Sequence, residues 1–250
     1  MKRAPVLHSD AFLAAILFLV VAGPVAAQDS PLSWLNGARS AAGARSLSED
    51  AVLSTTAALW ASTLAAAGVL SHRGADGATV LDRYRAMGGT EAHVGEIIGA
   101  GPSLAAVEAG WMQSAEHRRL ALAPGWTHTG WGTAAHGSSQ VWVVLFVERL
   151  VAELSIEDGE GALSVSGRFV EPSAGKAFLW SGLNPVLPAS WDERTGRFAF
   201  EVPSSGKEGY VRLGYVAPDG AFMLTNAFTL PRGTESPAAP VRFSPPAPSP

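Results

Sequence analysis

One continuous apolar run, Val141-Trp-Val-Val-Leu-Phe-Val147, constrains the fold more than any other stretch of this chain. Its β-branched and aromatic residues are typical of a strand that is buried on both faces. Such a strand needs apolar cover above and below, which amphipathic helices can supply. A looser alternation over 126–134 predicts a neighbouring strand. Because the helical patterns come first and the strands last, the sequence predicts an α+β sandwich rather than a doubly wound sheet.

The first helices are predicted from apolar periodicity and from the glycines that follow it. Residues 31–42 form one helical pattern, with Gly43 as its C-terminal cap. A longer pattern, which we expect to begin at an N-cap Ser48, ends at Gly68. Its apolar positions recur at the spacing of one helical face: Leu53, Ala57, Trp60, Leu64 and Ala67.

Shorter elements connect this helix to the strands. Residues 78–87 predict a short helix, and residues 94–100 predict a strand or an extended loop that carries Glu96. A further helix is expected to start at Pro102-Ser103. Ser114 is predicted to cap the short helical turn that follows it.

From about residue 152 the pattern changes to short strands separated by turns. The predicted strands are 163–170, 177–180, 197–202, 210–216 and 221–230. We expect residues 152–232 to form a small all-β sandwich that follows an α+β unit over 31–150. Residues 233–250, rich in Pro, Ala and Ser, are predicted to be a disordered tail.

The N-terminus has the pattern of a secretory signal peptide over residues 1–27. Lys2 and Arg3 precede an apolar stretch over 11–22, and Val25-Ala-Ala27 offers a small-residue cleavage site. The mature chain is then expected to be secreted or periplasmic, without a transmembrane segment. A retained membrane anchor is the alternative.

Composition excludes several functional classes. Charged residues make up only 16% of the chain and the net charge is −4, so nothing indicates a nucleic-acid partner. The chain has no cysteine, which excludes a thiol nucleophile, a cysteine-ligated metal and disulfides. An exported protein of this kind must be held together by packing alone.

Three titratable side chains remain as candidates for chemistry: His72, Glu96 and His117. The chain lacks the common zincin, nucleophile-elbow, P-loop and dinucleotide motifs. Two imidazoles and a carboxylate suit Zn²⁺ with an open fourth position. The same trio could work without metal, with Glu96 orienting a histidine that acts as a base. Each histidine could equally be a hydrogen-bonded structural group, and spacing alone does not decide between these interpretations.

A set of ordered landmarks carries a resemblance to a known family. The landmarks are Leu35-Asn36, Arg39, Gly43, Leu47, Asp50, Leu53, Ala57, Trp60-Ala61, Ser71-His72, Asp82-Arg83, Gly88, Gly95-Glu96, Trp111-Met112, Ser114, His117-Arg118, Gly130 and Gly132. With these residues the chain resembles the bacterial branch of the CAP superfamily, the cysteine-rich secretory, antigen 5 and pathogenesis-related proteins, whose domain is also called SCP. The resemblance covers roughly residues 31–148.

The resemblance implies an α-β-α sandwich with an open cleft that holds two histidines and two glutamates and can bind zinc. His72 matches the first histidine, Glu96 the glutamate of the Gly-Glu-Asn motif, and His117 the second histidine. Ser114 stands where the fuller family form has its other glutamate, and Ile97 replaces the asparagine of the motif. The implied cleft residues are therefore His72, Glu96, Ser114 and His117, and the implied metal ligands are His72, His117 and Glu96.

Other residues near these landmarks are weaker candidates. Glu116 could partly replace the missing glutamate charge. His93 and His128 are expected to be surface or packing histidines, and tryptophans 126, 131 and 142 are expected in the core, with a ligand-lining role as the alternative.

Family members have been linked to sterol or lipid binding, to extracellular signalling and defence, and occasionally to proteolysis, so the fold does not choose a function. We expect an exported, non-enzymatic protein that binds a small apolar ligand or an envelope or extracellular partner, with a divalent metal such as Zn²⁺ as a candidate cofactor. One alternative is a metal-assisted hydrolase or protease in which His72, His117 and Glu96 activate water. Another is a structural envelope protein.

Overall fold

A computed structural model describes residues 30–159, 162–171, 175–181, 184–203 and 210–229. The predicted signal peptide over 1–27 and the predicted tail over 233–250 lie outside the described residues. The described chain forms a helix-flanked sheet followed by two packed sheets, so the predicted α+β class is confirmed. None of its helices is long and apolar enough to cross a membrane.

The helices and the first sheet come from the first part of the described chain. Their elements are α1 Pro31–Ala41, β1 Ser48–Glu49, α2 Ala51–Ala67, α3 Val80–Ala86, β2 Val94–Gly101, α4 Leu104–Gln113, α5 Ala115–Ala121, β3 His128–His136 and β4 Ser139–Val147.

Strands alone make up the rest of the described chain. They are β5 Val151–Asp158, β6 Ala162–Phe169, β7 Ala177–Ser181, β8 Asn184–Val186, β9 Ser190–Asp192, β10 Arg197–Pro203, β11 Tyr210–Val216 and β12 Phe222–Thr229.

The predicted central strand is β4. The first sheet has the order β1-β3-β4-β2, and β4 pairs antiparallel with both β2 and β3. Every residue over 141–147 is buried. Val143 belongs to the core beneath α2, whereas Val144 and Phe146 belong to the core on the other face, beneath α1 and α4. The prediction of a strand covered on both faces is therefore confirmed.

Two glycines let α2 lie directly on β3. A Cβ atom added at Gly130 would overlap the α2 backbone around Leu53 and Ser54. One added at Gly132 would overlap the backbone around Ala57 and Ala58. The apolar face of α2 is thus buried against bare strand backbone, which leaves no space for side chains at these two positions.

The predicted start of α2 is wrong. Asp50, not Ser48, is the N-cap, and its carboxylate accepts a hydrogen bond of 2.9 Å from the Leu53 N–H. Ser48 instead pairs in parallel with β3, where its N–H donates to the Thr127 carbonyl at 3.0 Å. Both residues have capping side chains, and the strand pairing, which local sequence does not encode, selects between them.

A buried arginine fixes α1 to the rest of the first unit. Arg39 is fully buried, and its guanidinium donates to four backbone carbonyls. The acceptors are Arg45 at 2.8 Å, Ala121 at 2.8 Å, Ala123 at 3.0 Å and Trp126 at 3.3 Å.

The C-terminal strands form a small sandwich, as predicted. One sheet has the order β5-β6-β10-β9 and the other β12-β11-β7-β8. Their shared core contains Val165, Phe169, Leu179, Phe200 and Leu213. Strands β5, β8 and β9 were not predicted: β8 and β9 have three residues each, and β5 carries a mixture of charged and apolar residues with an irregular register.

A short backbone seam joins the two units. Residues 90–92, between α3 and β2, lie along the outer edge of β12. The Ala92 N–H donates to the Thr225 carbonyl at 2.9 Å, and the Ala227 N–H donates to the Thr90 carbonyl at 2.7 Å. The β12 edge of its sheet is therefore partly covered by the first unit, which leaves fewer backbone groups of β12 unpaired.

Candidate functional site

His72 is placed by the loop that follows α2. Gly68 ends the helix in the left-handed conformation, with φ of 68°, and turns the chain back towards the sheet. The Trp60 indole N–H then donates to the Ser71 carbonyl at 3.1 Å, which holds the loop against the helix. His72 follows directly, and its side chain is 60% exposed.

Glu96 projects from β2 towards this loop. Its Oε1 lies 2.8 Å from Nδ1 of His72, and its Oε2 lies 2.6 Å from Nη2 of Arg83. The Glu96 side chain is 2% exposed and that of Arg83 is 0% exposed. An exposed imidazole is thus connected through a buried carboxylate to a buried guanidinium. We call His72, Glu96 and Arg83 the relay.

Arg83 is itself held on several sides. Helix α3 starts with a capping box between Thr79 and Asp82, which fixes the turn that carries Arg83. The guanidinium also donates to the carbonyls of His72 at 3.3 Å and Ala78 at 3.2 Å. Its central carbon lies 3.9 Å from the centre of the Trp60 ring, a cation–π contact inside the core.

The relay changes the protonation of its exposed member. The hydrogen bond to Glu96 raises the pKa of His72 above the ordinary histidine value, although partial burial and the charge of Arg83 act in the opposite direction. Because the carboxylate accepts from Nδ1, that nitrogen carries the proton in the relay, and Nε2 is the nitrogen left for other partners. His72 can therefore donate as a cation in mildly acidic solution and accept as a neutral base at higher pH.

His117 does not join this arrangement. Ser114 is the N-cap of α5, as predicted, and its Oγ accepts from the His117 N–H at 3.5 Å. Helix α5 packs on the other face of β2, because a Cβ at Gly95 would meet Leu120, and successive strand residues point to opposite faces. Glu96 faces away from that side.

The side chains as placed do not fit a three-ligand zinc site. No group of three or more His, Asp or Glu side chains within the described ranges is arranged to hold a metal ion. Both oxygens of Glu96 are engaged, one by His72 and the other by a guanidinium that would repel a cation. The expectation that His72, Glu96 and His117 bind Zn²⁺ remains a prediction that this geometry does not support.

The weaker candidates lie in ordinary surroundings. Ile97 is fully buried in the core under α4, while His93 and Glu116 are exposed. His128 contacts the Thr127 hydroxyl at 2.9 Å, and burial, followed by the charge of Arg149, lowers its pKa. The tryptophans at 126, 131 and 142 pack in the core on the α1 and α4 side.

Arg83 is a member of the site that was not predicted from the sequence. It was a family landmark, but no role was assigned to it. One signal was present: Arg83 lies next to Tyr84 and three residues after Val80, on the apolar side of a short helix, where an unpaired charge would be unfavourable. A buried arginine at such a position predicts a buried carboxylate partner.

The first unit matches a known family model. A family model described as "CAP: Cysteine-rich secretory protein family" matches residues 32–146. Among solved structures, an outer surface protein from Borrelia burgdorferi is similar, with 21% identity and a TM-score of 0.44 over 47% of this chain and 88% of that chain. An extracellular protein containing an SCP domain from Bacillus anthracis is similar at 22% identity and a TM-score of 0.42, over 47% of this chain and 38% of that chain.

A search of curated proteins gives no significant match. The family match ends at residue 146, immediately before the C-terminal strands, and it includes all three members of the relay. Residues 32–146 of this chain therefore match the CAP family, and we call the unit that contains them the CAP domain.

Proposed function

We propose that this chain is an exported, non-enzymatic binding protein whose CAP domain uses the exposed end of the relay to hold a small apolar ligand or an extracellular or envelope partner. The proposal depends on the difference in side-chain exposure between two members of the relay. The His72 side chain is 60% exposed, whereas the Glu96 side chain behind it is 2% exposed. Only the imidazole is therefore offered to a partner.

The engagement of Glu96 supports binding rather than acid–base turnover. One carboxylate oxygen faces His72 and the other faces Arg83, at 2.8 and 2.6 Å. A carboxylate held in this way cannot take a proton from a substrate directly. Its remaining role is to orient the imidazole and to favour its cationic form.

The surroundings of His72 suit a ligand with an acidic head and an apolar body. The raised pKa of His72 favours an imidazolium that can donate to a carboxylate or a phosphate. Leu70, two residues earlier in the same loop, is a large apolar side chain that is 48% exposed. Together they present a cation beside an apolar surface.

Titration of the mature protein with palmitate by calorimetry tests this proposal. We expect tighter binding at about pH 6 than at about pH 8, because His72 is protonated at the lower value. His72→Gln should weaken binding about tenfold, by removing a charge-assisted hydrogen bond of about 1.5 kcal/mol. The matched control is His93→Gln, which changes an exposed histidine outside the relay.

Equal affinity of the His72→Gln protein would contradict the proposed binding role. If neither palmitate nor cholesterol binds to the wild type, the result counts against a small apolar ligand. Sedimentation of the protein with bacterial envelope fractions, again with and without His72→Gln, then tests the partner.

Export rests on the segment over residues 1–27. Expression in a bacterium, followed by N-terminal sequencing of protein from the periplasm and the medium, tests it. Cleavage after Ala27 supports the proposal. Retention of the intact chain in the membrane fraction would favour the anchor instead.

A second candidate is favoured by the hydrogen bond between His72 and Glu96. A carboxylate that accepts from Nδ1 orients an imidazole to act through Nε2 as a general base in hydrolysis. Hydrolysis of p-nitrophenyl esters or of casein that is lost in His72→Gln and reduced in Glu96→Gln would support it. Zinc titration of the wild type, His72→Ala and His117→Ala tests the metal-assisted form.

A further inference from the structure

A cavity of about 410 Å³ lies between the CAP domain and the C-terminal strands. Its walls come from α2 with Val52, α3 with Tyr84, the seam segment with Glu91, β5 with Leu154, and β12 with Asn226. This volume falls within the range of small-molecule sites, which is roughly 300–1,000 Å³. No member of the relay lines it, so this site is separate from the one proposed above.

The charged side chains in and behind the cavity wall pair with one another. Glu91 accepts from the Tyr84 hydroxyl at 2.5 Å and from Nε of Arg149 at 2.5 Å. Arg149 also donates from Nη2 to Asp50 at 2.9 Å. Burial, followed by the charge of Glu91, raises the pKa of Tyr84, so its hydroxyl stays protonated. One guanidinium here meets two carboxylates, which disfavours an anionic ligand.

One polar group in the wall is not satisfied. Asn226 is 2% exposed, and its Nδ2 donates to the Thr90 hydroxyl at 3.1 Å. Its amide oxygen has no hydrogen-bond partner among the described residues. Leaving a buried acceptor unpaired is unfavourable. As placed, this oxygen is not accessible from the cavity, so a donor in the cavity would pair with it after the Asn226 side chain turns towards the cavity.

The β5 wall departs from regular strand geometry. Glu153 has φ of 55°, in the left-handed region, and sits where the register between β5 and β6 shifts. Its carboxylate pairs with Arg168 at 3.5 Å and with Arg197 at 3.0 Å. Such bulges and strained residues are over-represented at binding sites, where they re-aim the neighbouring side chains.

We propose that this cavity binds an uncharged amphipathic small molecule, which donates an O–H or N–H to Asn226 and places its apolar part against Val52, Leu154 and Ile156. The unpaired oxygen of Asn226 calls for a hydrogen-bond donor on the ligand. Because the charged side chains of the wall already pair with one another, an uncharged ligand is favoured. The aliphatic side chains of α2 and β5 can contact its apolar part.

Two isomeric probes test the proposal on the whole mature chain. Hexan-1-ol and 1-methoxypentane have the same composition, but only the alcohol can donate a hydrogen bond. We expect the alcohol to bind about tenfold more tightly in ¹H–¹⁵N NMR titrations, with shifts centred on the amides of Thr90 and Asn226. Equal affinities would overturn the proposal. So would the failure of both probes to bind, which would mean that the cavity holds only water.

Two variants separate the polar and the apolar contributions. Asn226→Leu should abolish the preference for the alcohol. Val52→Phe, which fills the cavity from α2, should weaken both probes about tenfold without removing the acceptor. The matched control is Leu59→Phe, on the same helix and 42% exposed outside the cavity, which should change neither. If Asn226→Leu does not fold, the comparison of isomers and the Val52→Phe result still decide. Unchanged binding in Val52→Phe would overturn the assignment.

Discussion

Arg83 and Glu96 form a 2.6 Å ion pair in which neither side chain is more than 2% exposed. Each charge has lost its water and depends on the other, as well as on the neighbouring hydrogen bonds of His72. The pair links α3 to the edge strand β2. It thereby fixes the buried carboxylate to which the exposed His72 imidazole is hydrogen-bonded.

Removing only the cation of that pair should be strongly destabilising. We expect Arg83→Met to lower the free energy of unfolding by about 3–5 kcal/mol, because the Glu96 carboxylate would remain buried and unpaired. Urea denaturation followed by tryptophan fluorescence measures this. The double variant Arg83→Met, Glu96→Gln should recover part of the loss. A single variant as stable as the wild type would show that water reaches Glu96.

The stability contributed by His72 should depend on pH. Its folded pKa is raised, so the stabilisation is fully present below the unfolded value, about 6.5, and is lost as the pH rises through the folded pKa. The Tm of the wild type minus that of His72→Gln should therefore be largest near pH 5.5 and shrink towards about pH 8.5. The same subtraction with His93→Gln is the control. A difference that grows with pH would contradict the raised pKa.

Gly132 should not accept even one methyl group. Its Cβ would overlap the α2 backbone around Ala58, so Gly132→Ala must push the helix off the sheet. We expect a loss of about 1–3 kcal/mol or more in thermal denaturation. Gly110→Ala is the matched control, since nothing lies within 4 Å of its added Cβ. Within α4 that change should be neutral or stabilising by up to about 1 kcal/mol.

Arg39 should not be replaceable by lysine. Its planar guanidinium reaches four carbonyls, one in the loop after α1 and three at the end of α5 or in the loop that follows it. An ammonium has three donors at a single point and cannot reproduce this geometry. We expect Arg39→Lys to cost about 2 kcal/mol or more, measured by urea denaturation. Arg45→Lys, at a position whose side chain is 53% exposed, should change stability by less than about 0.5 kcal/mol. Similar stability of the two variants would contradict this role for Arg39.

The sequence was most informative where local pattern and burial coincide. The run over 141–147 predicted β4 because no polar residue interrupts it. The apolar face of α2 was predicted for the same reason, and Leu53, Trp60 and Leu64 are indeed fully or almost fully buried. Ser114 was identified because a capping side chain immediately precedes α5.

The sequence was less informative where distant parts of the chain decide. Asp50 rather than Ser48 caps α2 because Ser48 pairs with β3, which lies far along the chain. The role of Arg83 depends on Glu96, which lies on another element. That His117 lies across β2 from Glu96 depends on which face α5 covers, and helical periodicity contains no such information.

The seam between residues 90–92 and β12 has a consequence for the order of synthesis. Its two halves are separated by more than a hundred residues, and residues 225–227 leave the ribosome long after the CAP domain is complete. Until then Glu91 lacks its bridge to β12, and the edge of β12 has no cover from the first unit. Any folding of the CAP domain that precedes the synthesis of β12 therefore takes place without these contacts. The boundary between the two units closes only once the C-terminal sheet is complete.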